Sequence, residues 1–230
     1  MNILEIFLKS VKLIISLDPT LFGIIFLSLR VSFTALIISS FFALVLAYFL
    51  ALKEFIGRNL IIIFFNSLMG IPPVVVGLIV YFIFARGGPF GIFELLYTPF
   101  AMIVAQIIII FPIILSLSYD LFCQNLKEFR DQFLAFNIPF VAKMFILMKK
   151  SYFIIITILL SAFGRAISEV GAVMIVGGNI EHYTRVMTTA ITLQTRIGNL
   201  EYAMALGIVL IVLTMIISAS VYIFNLKTNK

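Results

Sequence analysis

At 230 residues, 63% of them hydrophobic and only 11% charged, with a mean hydropathy of +1.23, the chain is far from the balance of a soluble domain. Its net charge of +6 comes from scattered cations, not from a basic face interleaved with aromatics, which argues against nucleic acid as a partner. Cys123 is the only cysteine, so no intrachain disulfide forms. The expected fold is all-α, a polytopic membrane bundle with no room for a separate soluble domain.

Residues 1–17 lack a basic start and a small-residue cleavage site, a poor match to a signal peptide. Glu5, Lys9, Lys12 and Ser16 recur on one stripe of a helix whose other faces are apolar, which predicts an amphipathic helix lying along the membrane surface. Asp18-Pro19 is a helix start: the carboxylate caps free amides and proline at the first position donates none. A transmembrane domain over 18–226 follows, with apolar runs at Leu21–Leu52, Leu60–Phe84, Pro99–Tyr119, Tyr152–Val176 and Glu201–Phe224. Each is near or above the roughly 20 residues needed to cross a ~30 Å hydrocarbon core.

Arg30, inside the first run, reads as a cation snorkelling to the headgroups. Gly70, Pro72 and Pro73 interrupt the second run and Pro112 the third. Prolines remove backbone donors, so kinks are expected; they read equally as a gating device or as ordinary membrane packing.

The stretch 120–150 holds five of the sixteen cations together with Phe129, Phe133, Phe136, Phe140 and Phe145, more aromatic surface than a free loop leaves in water. A partner protein gripping an amphipathic helix explains it, and contact with membrane lipid headgroups is the other reading. The fourth run carries Arg165 and Glu169, four residues apart, beside a small-residue face of Ser161, Gly164, Ser168 and Gly171 on which another helix packs. A charge at mid-bilayer depth costs about 3 kcal/mol on insertion scales, so this pair faces protein or an aqueous path, either as an internal ion pair or as a contact for a transported ion.

Gly177-Gly178-Asn179 ends that run, and a hydroxyl-rich loop follows with Thr184, Arg185, Thr188, Thr189, Thr192, Gln194, Thr195 and Arg196. His182, beside Glu181, reads as solvated. With the amino terminus outside, nine cations fall on the inner side (Lys53, Arg58, Lys127, Arg130, Lys143, Lys149, Lys150, Lys227, Lys230) and five on the outer (Lys9, Lys12, Arg86, Arg185, Arg196), which favours an inner carboxyl terminus. No Walker-type phosphate loop, metal-ligand cluster or nucleophile–base pair is present, so active transport needs a partner or an ion gradient.

Three blocks carry a family resemblance: FGRAISEVGAVMIVGGNI at Phe163–Ile180, TRVMTTAI at Thr184–Ile191 and MGIPPVVVGL at Met69–Leu78. From about Asp18 to Phe224 the chain resembles the permease subunit of tungstate-type ABC importers, close to molybdate permeases. The family's coupling motif, E-A-A, three residues, then Gly, falls on Asp131, Gln132, Phe133 and Asn137; only the acid is kept, and Asn is the next best residue after Gly for a left-handed turn. The motif's later Ile, Leu and Pro fall on Leu147, Lys149 and Lys150.

The resemblance implies a homodimeric permease of the bacterial plasma (inner) membrane, driven by cytoplasmic ABC ATPase subunits that carry the ATP and magnesium. An extracytoplasmic binding protein would deliver the oxyanion, and this chain would bind no cofactor itself. Tungstate comes before molybdate or sulfate; a gradient-driven carrier or channel, and a non-transporting anchor, are the alternatives. It further implies an ATPase dock at Asp131, Gln132, Phe133, Phe136, Asn137, Pro139, Phe140 and Lys143. Ser168, Asn179, Thr184 and Arg185 would line the substrate pathway, with Arg165 and Glu169 fixing the helix behind them.

Overall fold

The computed structural model describes residues 3–228, with side chains through Phe224. Met1 and Asn2 of the amphipathic segment, the inner cation Lys230 and the side chain of Lys227 lie outside the described residues. Among those described, the chain is helical throughout: α1 (Ile3–Ile15), α2 (Pro19–Leu52), α3 (Arg58–Leu68), α4 (Pro73–Phe84), α5 (Pro99–Glu128), α6 (Arg130–Ala135), α7 (Phe140–Lys150), α8 (Tyr152–Ile167), α9 (Gly171–Gly177), α10 (Met187–Arg196) and α11 (Leu200–Thr228).

The longest helices begin where side chains satisfy their first amides. The Asp18 carboxylate accepts the Leu21 amide at 2.9 Å with Pro19 opening α2, and Thr98 caps Ala101 with Pro99 opening α5. The Thr20 hydroxyl and the Leu21 amide hold the Asp18 carboxyl below its ordinary range. A depressed folded-state value means the cap's contribution is present above the unfolded carboxylate range and fades as pH falls through the folded one. Asp18→Ala is expected to cost up to about 1 kcal/mol near neutral pH and to lose its effect in acid, measured by thermal unfolding in detergent.

Among the described residues three helices, α2, α5 and α11, are long and apolar enough to cross a membrane; the count rises to five only if each bent helix pair is one span. The expected straight span Leu60–Phe84 is one such pair: α3 and α4 meet at 106°. At 1.5 Å per residue they run about 16 and 18 Å, each short of the ~30 Å core. The cause is local, because the amides of Met69, Gly70 and Ile71 close tight turns onto Asn66, Ser67 and Leu68, and Pro72 and Pro73 then start a new helix. Pro112, by contrast, does not end α5, which runs buried through it and past the expected end at Tyr119 to Glu128.

The expected span Tyr152–Val176 is also broken, at Ser168–Val170, so Gly171 does not share a face with Ser161, Gly164 and Ser168. Gly164 lies against Ile217 of α11, whereas Gly171 begins α9 and abuts Val74 of α4. Ahead of the break, α7 meets α8 at 75°. The hydroxyl-rich segment expected as a loop contains α10, with Thr188 and Thr189 buried.

The core forms where α2 packs along α5, around Tyr48, Leu50, Met102, Ile110, Ile114 and Phe122. Two ends of the bundle follow from long-range bonds. At one, the Tyr97 amide donates to the Val176 carbonyl at 2.9 Å, gathering the approach to α5 and the last turn of α9. At the other, the Tyr48 hydroxyl donates to the Phe140 carbonyl at 2.6 Å, seating α7 against the far end of α2. Helix α1 packs on α11: Lys9 bonds Glu201 at 2.7 Å, the Ser10 hydroxyl donates to the Glu201 carbonyl, and the carboxylates of Glu201 and Glu5 hold the Lys9 ammonium above its ordinary range.

Candidate functional site

A helix interrupted inside a bundle frees backbone groups that must find partners. At the α8–α9 break the partners come from four directions. The Gln106 amide of α5 donates to the Ala166 carbonyl at 3.1 Å and to Ser32 of α2 at 3.3 Å. The Thr188 hydroxyl of α10 donates to the Glu169 carbonyl at 2.8 Å. Ser168 turns its hydroxyl back onto Gly164 at 2.8 Å. The Glu169 carboxylate accepts the Ala172 amide at 3.2 Å with one oxygen and pairs with Arg165 at 2.8 Å through the other.

Glu169 is 5% exposed and Arg165 40%. Removing the arginine strands the carboxylate in the bundle, whereas removing the acid frees an arginine that still reaches its surroundings. Arg165→Ala is therefore expected to cost about 2–3 kcal/mol, discounted from a fully buried pair, and the second change Glu169→Gln to recover part of it by keeping the acceptor without the charge. Thermal unfolding of the two variants checks this.

The six sequence-chosen pathway residues do not form one cluster. Arg165, Ser168 and Glu169 sit at the break. Thr184 is buried and occupied, its hydroxyl donating to Gly177 and accepting from the Ile180 amide at 2.9 Å, so it closes the turn after α9. Asn179 sits in the same turn at a φ of 51°, behind Gly178 at 66°, and its buried side-chain oxygen has no partner among the described residues. A Cβ on Gly178 would meet the Tyr97 ring at 2.7 Å, so Gly178→Ala is expected to destabilise by about 2 kcal/mol through both the clash and the left-handed backbone, again read by thermal unfolding.

Two of the six line cavities: Ser168 borders a space between α8 and α11, with Ser161, Thr214 and Ser218, and Arg185 borders a second, more strongly charged one. The Arg185 cavity, about 370 Å³, lies between the first half of α2, the segment after α9, α10 and the start of α11. Arg30 and His182, read from sequence as snorkelling and solvated, line it too, with Glu181, Gln194, Asn199 and Tyr202. Arg30 stands about 17 Å along α2 from its start. The signal that could have found it was the one applied to Arg165: a cation that deep in an apolar helix is expensive toward lipid.

At the opposite end, α6 and α7 are joined by a turn in which Asn137 takes a φ of 45°. Phe133 is buried, and Phe129 is half-buried. Phe136 is 77% exposed, with Leu134, Val141 and Phe145 also exposed, and Lys143 lies over the Phe133 ring at 5.8 Å. Asp131, Gln132, Pro139 and Phe140 are exposed on the same segment.

No known protein-family model matches the chain. It is 38% identical over 220 residues to a tungstate uptake system permease protein of Peptoclostridium acidaminophilum, covering 96% of each chain. It is 39% identical over 197 residues to a probable anion ABC transporter permease protein of Haloferax volcanii, covering 84% of this chain and 85% of that one. A tungstate uptake system permease protein of Campylobacter jejuni is 35% identical over 160 residues, covering 70% and 67%. Identity of this extent reaches from the first helix through both bent pairs to the last, and the chain therefore belongs to the ABC-transporter permease family of these anion uptake proteins.

Proposed function

We propose that this multi-pass membrane protein is the permease subunit of an ATP-driven importer that carries tungstate into the cytoplasm. The observation that carries the reading is the near full-length identity to a tungstate uptake permease. A gradient-driven carrier or a passive anchor is not favoured by that kinship.

In this reading a cytoplasmic ABC ATPase holds ATP and magnesium, a binding protein on the other side delivers the oxyanion, and two copies of the chain enclose the path across the plasma membrane. The amino terminus faces outward and the carboxyl terminus inward, supported by the nine-to-five excess of inner cations. The ATPase seats on Asp131, Gln132, Phe133, Phe136, Asn137, Pro139, Phe140 and Lys143. Exposed apolar surface on a short helix pair and the left-handed Asn137 turn support that dock.

The bend at Gly70, Pro72 and Pro73 is the point where α4 moves against α3, and Pro112 eases bending of α5. Ser168, Asn179, Thr184 and Arg185 border the path while Arg165 and Glu169 lock the broken helix. A path that bound a dianion tightly would not release it, so selectivity rests with the binding protein.

The test is tungstate uptake into vesicles holding the permease with its ATPase, binding protein and ATP. Uptake is expected only with all of them present. Uptake undiminished without ATP or without the ATPase overturns the reading, and the mass of the detergent-purified chain, 25.9 kDa per copy, reports whether two assemble.

A further inference from the structure

The cavity beside α2 has the makings of an anion site that the broken helix does not. Arg30 makes no ion pair among the described residues. Arg185, its side chain 13% exposed, meets Glu181 at 3.1 Å through one terminal nitrogen and leaves its buried Nε without a partner among the described residues. Glu181 is 62% exposed and, among the described residues, is the only acid lining the space. The Asn199 side-chain oxygen is held by the Tyr202 amide at 3.3 Å, which leaves the Asn199 amide group as an available donor on the cavity wall.

Two guanidinium groups thus share an open cavity with one weakly held carboxylate, which leaves a net positive charge at this end of the bundle. Arg30 is exposed toward the cavity mouth while Arg185 is largely buried, so burial strengthens contacts to Arg185, and both guanidinium groups offer forked donors that match tetrahedral oxyanions. The volume of about 370 Å³ admits such an ion with part of its hydration shell, at ~30 Å³ per water.

We infer that this cavity is an oxyanion waypoint in which Arg30 and Arg185 receive a tetrahedral dianion and Glu181 is the stand-in anion it displaces. The exchange explains how the site stays weak: the carboxylate of Glu181, tethered one turn away, competes for Arg185 and returns when the ion leaves. Arg30 supplies the charge that Glu181 does not neutralise. The inference deepens the importer reading and rests on it for the identity of the ion.

The test begins with tungstate binding to the purified permease, read as a rise in thermal midpoint over sodium chloride of equal ionic strength. Wild type is expected to gain about 4 °C at ten times the dissociation constant. Arg30→Gln and Arg185→Gln should lose that gain while unfolding as one transition without tungstate, Arg185→Lys should restore part of it, and Glu181→Gln should enlarge it by removing the competitor. A wild-type protein with no tungstate-specific rise overturns the inference even if the assembled transporter takes up tungstate. A rise insensitive to both arginine changes overturns it equally. If the rise and its pattern hold while the assembled transporter moves no tungstate with ATP, the importer reading fails and the anion site stands.

Discussion

Phe136→Asp is expected to weaken the hold of the ATPase on the permease by about 30-fold or more, the loss of one central aromatic anchor at a protein interface. Phe136 is 77% exposed at the tip between α6 and α7, and its removal leaves the bundle core untouched because Phe133, not Phe136, fills the space against α5. Uptake should fall in parallel with ATPase association in detergent pull-down, while the thermal midpoint of the permease alone stays within a degree or two. If the complex survives intact, the dock lies elsewhere. Phe133→Asp makes the contrast: it should unfold the helix pair and lower the midpoint, because a buried unpaired carboxylate is costly wherever it sits.

Gly77→Leu is expected to disrupt the fold itself. A Cβ at Gly77 would stand 2.7 Å from the Ala172 Cα and 3.1 Å from its carbonyl oxygen, backbone atoms that cannot turn aside. Helices α4 and α9 would have to separate, and α9 is held by Glu169 at its first turn and by Gly178 at its end. Forced overpacking of this kind costs about 3 kcal/mol, which for a chain of this size lowers the midpoint by roughly 10 °C. Gly23→Leu is the matched control, since a Cβ there has open space around it and should leave stability nearly unchanged. Equal behaviour of the two variants would mean that the α4–α9 approach carries no weight.

The sequence disclosed those features whose causes are local. Asp18-Pro19 and Thr98-Pro99 announce α2 and α5 because capping needs only neighbouring residues. Gly178 and Asn137 announce their turns because few residues accept a left-handed backbone. The break at Ser168–Val170 stayed hidden because no proline marks it and apolar residues continue on both sides. What permits it is Gln106 on α5 and Thr188 on α10, partners far along the chain that only the folded bundle brings together.

The cavity beside α2 stayed hidden for a related reason. Arg30 and His182 each look ordinary when weighed alone, and only their meeting with Arg185 in one cavity gives them a shared chemistry. Thr184 is the reverse case: its spacing singles it out, and the fold shows its hydroxyl bonded inside its own turn. Helix α10 was obscured by its threonines, poor helix formers whose hydroxyls bond back onto preceding carbonyls, as Thr192 does onto Thr188.

Helix α2 joins the two ends of the molecule in one piece. Its 34 residues make a rod about 51 Å long at 1.5 Å per residue. Near one tip, Tyr48 is tied to the Phe140 carbonyl; toward the other, Arg30 borders the polar cavity. A rod so pinned behaves as a lever: swinging it by about 5° sweeps one tip through about 4 Å relative to the other. Motion imposed on α7 thus has a stiff mechanical route to the guanidinium of Arg30, and cutting the Tyr48 tie with phenylalanine should slacken that linkage without altering what either end binds.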